Sequence, residues 1–135
     1  MPVVEGRHNG RQILTEIFVA PLFNPAHPTF ESGVALIDTG ATASLISQSI
    51  ARRLQLPPRA KRQMITARGS EMVTQYRFRL GFPSNLDVAL PYLLDAEFIG
   101  SELNAQTKFD VIVGMDVLSM CDFQMSSNYN WRLQF

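Results

Sequence analysis

Cysteine is nearly missing from this sequence: Cys121 is the single one among 135 residues. One thiol closes no intrachain disulfide, so no staple supports the fold and nothing points to an oxidising compartment. Cys121 lies in an apolar stretch and reads as a small buried hydrophobe rather than a nucleophile. Histidine is scarce too. His8 and His27 stand at no metal-ligand spacing, and no cysteine or acidic cluster joins them, so neither a metal site nor a cofactor is expected. Net charge is also absent, because twelve basic and twelve acidic residues cancel. That leaves no overall field for nucleic acid or an anionic membrane surface. No apolar run approaches the roughly 20 residues that span a bilayer. The opening, Met1-Pro2-Val3-Val4-Glu5-Gly6-Arg7-His8, has neither the basic start nor the apolar core of a signal peptide. The expectation is a soluble, cytoplasmic protein without nucleic-acid or membrane partners.

What is present is enough apolar material for a core. Apolar residues make up 46% of the sequence, and the length suits one domain over residues 1–135. The charge is uneven: Arg52, Arg53, Arg59, Lys61, Arg62 and Arg68 occur with no acid among them. Such a block reads first as a solvated basic face.

Most segments have strand character. Ile13 to Val19 is short, β-branched and aromatic, and Pro21 ends it. A loop carrying Pro21, Pro25 and Pro28 follows. Gly33-Val34-Ala35-Leu36-Ile37 is a continuous apolar run, as expected of a strand buried on both faces, and it stops at Asp38-Thr39-Gly40. A helix is predicted from about Ser47 to Leu54, with Ile46, Ile50 and Leu54 four apart on one face. Ser47 can cap it, and Pro57-Pro58 prevents its continuation. Gln63 to Thr66 and Met72 to Leu80 read as two strands of a hairpin joined at Ala67-Arg68-Gly69-Ser70. In the second, Tyr76, Phe78 and Leu80 alternate with Arg77 and Arg79, giving one apolar and one wet face. Leu86 to Ile99 is expected to hold one or two strands interrupted near Pro91. Val111-Ile112-Val113 is a second buried run ended by Gly114, a short helix is expected from about Asp116 to Met120, and Asn130 to Phe135 alternates as a final strand. The pattern is one mainly β domain with one or two short helices.

Asp38-Thr39-Gly40-Ala41 is the informative feature. A carboxylate just beyond a buried strand is held rigidly, and Gly40 lets the backbone turn sharply beside it. Two carboxylates brought to about 3 Å cannot both ionise and therefore share a proton. One then takes a proton from water while the other donates to a peptide carbonyl, which is hydrolysis without metal or covalent intermediate. The tripeptide alone is also an ordinary turn. Its context separates the two readings: an apolar strand before it, a helix after it, and a later match in Phe109-Asp110-Val111-Ile112-Val113-Gly114-Met115-Asp116.

In this order of motifs the chain resembles the retropepsin-like aspartic peptidases, the group of retroviral proteases and their single-domain relatives. Ala35-Leu36-Ile37-Asp38-Thr39-Gly40-Ala41 is similar to the catalytic motif, the hairpin around Ala67-Arg68-Gly69-Ser70 falls where the family has its flap, and Val111-Ile112-Val113-Gly114 is similar to the segment beneath the active site. The resemblance implies a single-domain acid-protease β-barrel that is functional as a homodimer, because one chain carries one Asp-Thr-Gly and the chemistry needs two carboxylates. It implies that Asp38, Thr39 and Gly40 form the catalytic motif, with the Thr39 hydroxyl bracing the dimer. Ala41, the flap residues Ala67, Arg68, Gly69 and Ser70, and Val113 with Gly114 would face an extended peptide substrate bound as an added strand. Two departures stand out. Met115 occupies a place where retroviral members usually have a basic residue, and the hairpin tip has one glycine rather than several.

Other residues carry less. Asp116 reads as a carboxylate in the first turn of the last helix, where it favours the helix dipole, rather than as a second catalytic acid. Ser44, Ser47 and Ser49 have no histidine nearby to activate them, so a serine hydrolase is unsupported. Trp131 and Phe135 are either core or dimer contact, and the resemblance favours terminal strands in the interface. The leading reading is an aspartic endopeptidase. The same fold also admits a silent module that captures peptides without cleaving them, and a piece released from a longer polyprotein by its own processing. Within the leading reading, the basic run suggests a preference for acidic residues near the cleaved bond.

Overall fold

Short β-branched and aromatic segments separated by turn residues form a curled sheet that closes on itself. The structure is a computed structural model and describes residues 2–22, 29–67, 69–83, 91–103 and 108–135, with Thr66 described by its backbone alone. In chain order the elements are β1 (Val3–Arg7), β2 (Leu14–Ala20), β3 (Glu31–Ile37), β4 (Leu45–Ser47), α1 (Gln48–Arg53), β5 (Pro58–Thr66) and β6 (Gly69–Phe82). They continue with β7 (Tyr92–Leu93), β8 (Phe98–Leu103), β9 (Val111–Val113), α2 (Met115–Leu118), β10 (Asp122–Met125) and β11 (Asn130–Gln134). The expected loop residues Pro25 and Pro28, His27, Arg68 and the stretch 84–90 lie outside the described residues.

The larger sheet runs β2-β3-β9-β4-β8-β6-β5, and a further pairing of β2 with β6 brings the ends round into a barrel. Closure covers the free edge of β2, while β5, paired to β6 alone, stays outside the closed ring. The long strand β6 makes this possible. Its later part pairs with β8 and β2, while its first part extends in a hairpin with β5. β1, β11 and β10 form a separate three-stranded antiparallel sheet.

Residues inside the barrel alternate with residues outside it. Tyr76, Phe78 and Leu80 are all buried, as the alternation in β6 predicts, and join Ile17, Ile46 and Val113 in one core. Each such side chain contributes roughly 1.5–3 kcal/mol by leaving water. The expectation that Gly33–Ile37 is buried on both faces is corrected here. Ala35 and Ile37 are buried, but Val34 is 39% exposed and Leu36 is partly open. A barrel stave has an inside and an outside, whereas the unbroken apolar run suggested layers on both sides.

The helix is shorter than predicted but ends as expected. Ser47 caps α1, its Oγ accepting from the Ile50 N–H. Ile46 belongs to β4 rather than to the helix, although it is fully buried. The helix closes in a Schellman arrangement: Leu56 N–H donates to Ala51 O, Gln55 N–H donates to Arg52 O, and Gln55 takes φ +53°. The hairpin turn is also tighter than the four residues expected, since Thr66 pairs with Gly69 and both Gly69 and Ser70 belong to β6. Trp131 is buried within the chain, with its ring against Gly6, and Phe135 stacks on Phe82.

Candidate active site

β3 and β9 run parallel, pairing Ala35 with Val111, Leu36 with Ile112 and Ile37 with Val113. Asp38 continues this ladder, because its N–H donates to Val113 O at 3.0 Å. Ile37, one residue earlier, donates to Ile13 O at 2.9 Å. The backbone under Asp38 is thus held from both sides before the chain turns away. The turn is closed by the side chain itself: Gly40 N–H donates to Asp38 Oδ1 at 2.8 Å, and Ala41 N–H donates to Asp38 O at 3.2 Å. That is an Asx-type turn, in which the carboxylate stands in for a backbone acceptor. Oδ2 of Asp38 and the Thr39 hydroxyl make no hydrogen bond with other described residues, and Thr39 is exposed.

The loop after Asp38 is fastened to the segment after β9. Met115 N–H donates to Ala41 O at 2.7 Å, and Gly114 N–H donates to Ser44 Oγ at 3.1 Å. The Ser44 hydroxyl in turn donates to Asp116 Oδ1 at 2.7 Å, while its N–H donates to Asp116 Oδ2 at 3.0 Å. Ser44 is completely buried, so each of these bonds also prevents an unsatisfied polar group. Gly114 is required by space. A Cβ there would sit 2.7 Å from Ala41 O and 2.9 Å from Ala43.

Asp116 lies in the first turn of α2, as expected, and its Oδ1 accepts from Val117 N–H. Its bonds to Ser44 were not foreseen. A second unforeseen tie is Asp110. Its Oδ2 accepts from Val34 N–H at 2.9 Å and its carbonyl accepts from Ser47 N–H at 2.8 Å, joining β3, β4 and the approach to β9. No local pattern marks either residue, since both act across more than 60 positions of sequence; only the repeat of an apolar run ended by glycine hinted that the two segments meet.

Two open cavities flank this turn. One, of about 510 Å³, is lined by Asp38, Thr39, Ile37, Arg11, Phe123 and Met125 among others, and it contains no second carboxylate among the described residues. The other, of about 890 Å³, lies between the loop 40–45 and the β5 strand of the hairpin. Of the residues singled out from the sequence, Asp38, Thr39, Gly40 and Ala41 come together with Val113 and Gly114. Val113 is fully buried and contributes its carbonyl. Ala67, Gly69 and Ser70 lie at the far end of the hairpin and line neither cavity, with Ser70 Oγ accepting from Gln63 Nε2. Arg59, Arg62, Gln63, Met64 and Ile65 face the second cavity in their stead. On the floor of the hairpin, burial and the neighbouring Glu102, to which its hydroxyl donates, raise the Tyr76 phenol above its ordinary pKa.

Among the described residues no group of three or more His, Cys, Asp or Glu is placed to hold a metal ion, and no helix is long and apolar enough to cross a membrane.

Comparison with known proteins agrees with this architecture. The crystal structure of a retropepsin-like aspartic protease from Rickettsia conorii superposes with a TM-score of 0.66 at 16% identity, covering 98% of this chain and 92% of that chain. At that identity the likeness concerns the fold. No curated protein matches the sequence. Residues 31–120, which hold the Asp38 turn, the hairpin, β9 and α2, match the family described as "gag-polyprotein putative aspartyl protease". With two thirds of its length inside that match and the fold to go with it, the chain belongs to the gag-polyprotein aspartyl protease family and is retropepsin-like.

Proposed function

We propose that this chain, as one domain over residues 1–135, is an aspartic endopeptidase that works as a homodimer, with Asp38 of each copy forming the catalytic pair. The observation that carries this reading is the state of Asp38. Its backbone is clamped to Val113, one carboxylate oxygen is committed to Gly40 N–H, and Asp38 lines a cavity that holds no second acid among the described residues. Asp116, the other acid near the turn, is occupied by Ser44 and by its own helix. The described residues of the same chain supply no second carboxylate there, and a two-fold axis beside Asp38 supplies one from another copy by symmetry. Exposed apolar side chains near the turn support the same arrangement. Met115 is 41% and Met125 61% exposed, and Met125 lines the Asp38 cavity.

In such a pair the carboxylates share one proton. The ionised member draws a proton from the attacking water while the protonated member donates to the scissile carbonyl, and the roles then reverse. Gly40 N–H, by holding Oδ1, keeps the carboxyl plane fixed through both steps. Thr39, exposed beside Asp38, is placed to donate its hydroxyl across the axis. An extended peptide occupies the cavity between loop 40–45 and the hairpin, which acts as the flap.

The test is digestion of a diverse peptide mixture across mildly acidic to neutral pH, with Asp38→Asn alongside. The wild type is expected to cleave with a carboxylate-range pH profile, and the variant to lose at least about 10³-fold in rate. Equal cleavage by both proteins would refute the assignment of Asp38.

A further inference from the structure

We propose that Arg59 and Arg62 select peptides with acidic side chains near the bound segment's centre, an inference that rests on the groove being the peptide site proposed above. Both residues line the cavity between loop 40–45 and the hairpin, and no carboxylate lines it with them among the described residues. Both side chains are exposed, and neither has a hydrogen-bond or ion-pair partner among the described residues.

Arg59 stands at an irregularity in β5. Here Pro58 pairs with Tyr76 and Ala60 with Gln75, so Arg59 is an extra residue inserted into the ladder. A bulge of this kind re-aims a side chain. Arg59 at the bulge and Arg62 beyond it line the same groove, together with Gln63, Met64 and Ile65, while Lys61 does not. Two cations along one wall, opposite a loop of small neutral residues from Gly40 to Ser44, form an electrostatic track. A strand laid in this groove passes both arginines. Glutamate or aspartate at those positions gains two ion pairs, whereas lysine meets like charge. Two-fold symmetry repeats the track on the other side of Asp38, so acidic residues are favoured on either side of the cleaved bond.

The experiment uses labelled decapeptide pools, randomised except for paired positions flanking the centre that are set to Glu, Gln or Lys. Binding to the Asp38→Asn protein is read by fluorescence anisotropy at about pH 6.5, where glutamate is ionised, in low salt. Exposed pairs contribute about 3-fold each, so the Glu pool is expected to bind about 10-fold more tightly than the Gln pool. That ratio should shrink as salt is raised. It should fall to about one in Arg59→Gln/Arg62→Gln and invert, in favour of Lys, in Arg59→Glu/Arg62→Glu. Equal binding of all pools, no binding of any, or a ratio that survives both variants would overturn the inference. Cleavage of the same pools by the wild type separates the two claims. Selective binding without cleavage leaves this inference standing and removes the peptidase, and indiscriminate binding with cleavage does the reverse.

Discussion

Cys121 illustrates how burial silences a reactive group. Burial first, and the neighbouring Asp122 second, push its thiol up to about 11, well above the usual thiol range, and its Sγ donates to Leu118 O. The thiolate is the reacting species, so at about pH 8 alkylation of the folded protein should run about 100-fold slower than in denaturant. Comparable rates in the two states would mean that the thiol is open. The sign of the stability effect follows from the same shift. The unfolded chain loses this proton first as pH rises, so between about 9 and 11 stability falls with increasing pH. Just past the C-terminal end of α1, Gln55 holds a left-handed φ of +53° that suits glycine. It is exposed and its backbone already makes the helix-ending bond, so Gln55→Gly should raise stability by about 0.5–1 kcal/mol in urea denaturation. An unchanged or lower midpoint would show that the Gln55 conformation carries no strain.

At the scale of elements, the site is a junction of β3, β9, the loop 40–45 and α2, and Gly114 is where they touch most closely. Its φ of −98° is open to any residue, so only space forbids a side chain. Gly114→Ala is expected to push Ala41 and Ala43 away, costing about 1–3 kcal/mol, and to lower kcat more than the stability loss explains. A variant with unimpaired kcat would show that the loop position does not govern the chemistry. These contacts also mark the limit of what was legible beforehand. β2, α1, β6 and β11 follow from periodicity and capping, and Asp38-Thr39-Gly40 from its place after an apolar strand. β1 and β4 are missed because they are short and take their order from long-range pairing rather than pattern, and β10 because it is short, mostly exposed and shows no alternation. Ser44, Asp110 and the bulge at Arg59 are equally invisible, since each depends on a partner distant in sequence or on a slip of register. The hairpin tip is conspicuous in the sequence because of its turn residues, whereas the part of β5 that lines the groove carries no such mark.

At the scale of the whole molecule, the proposed dimer makes activity a property of two chains. Adding Asp38→Asn protein in about tenfold excess should depress wild-type activity about tenfold, because random pairing leaves few dimers with two carboxylates. Sedimentation at the assay concentration should show a dimer under the same conditions. Undiminished activity in the mixture would mean that each chain works alone.

The parallel pairing of β3 with β9 sets an order of events during synthesis. Val34 and Asp110 are 76 residues apart, and Ser44 and Asp116 are 72 apart. Asp38 leaves the ribosome well before Asp116, so its turn has no β9 to rest on, and its loop no Ser44–Asp116 clasp, until Asp116 has followed. Contacts of such separation form late and slowly. A nascent chain thus holds Asp38 on an unsupported turn until the second half of the clasp has emerged, and the frame around the carboxylate closes only then.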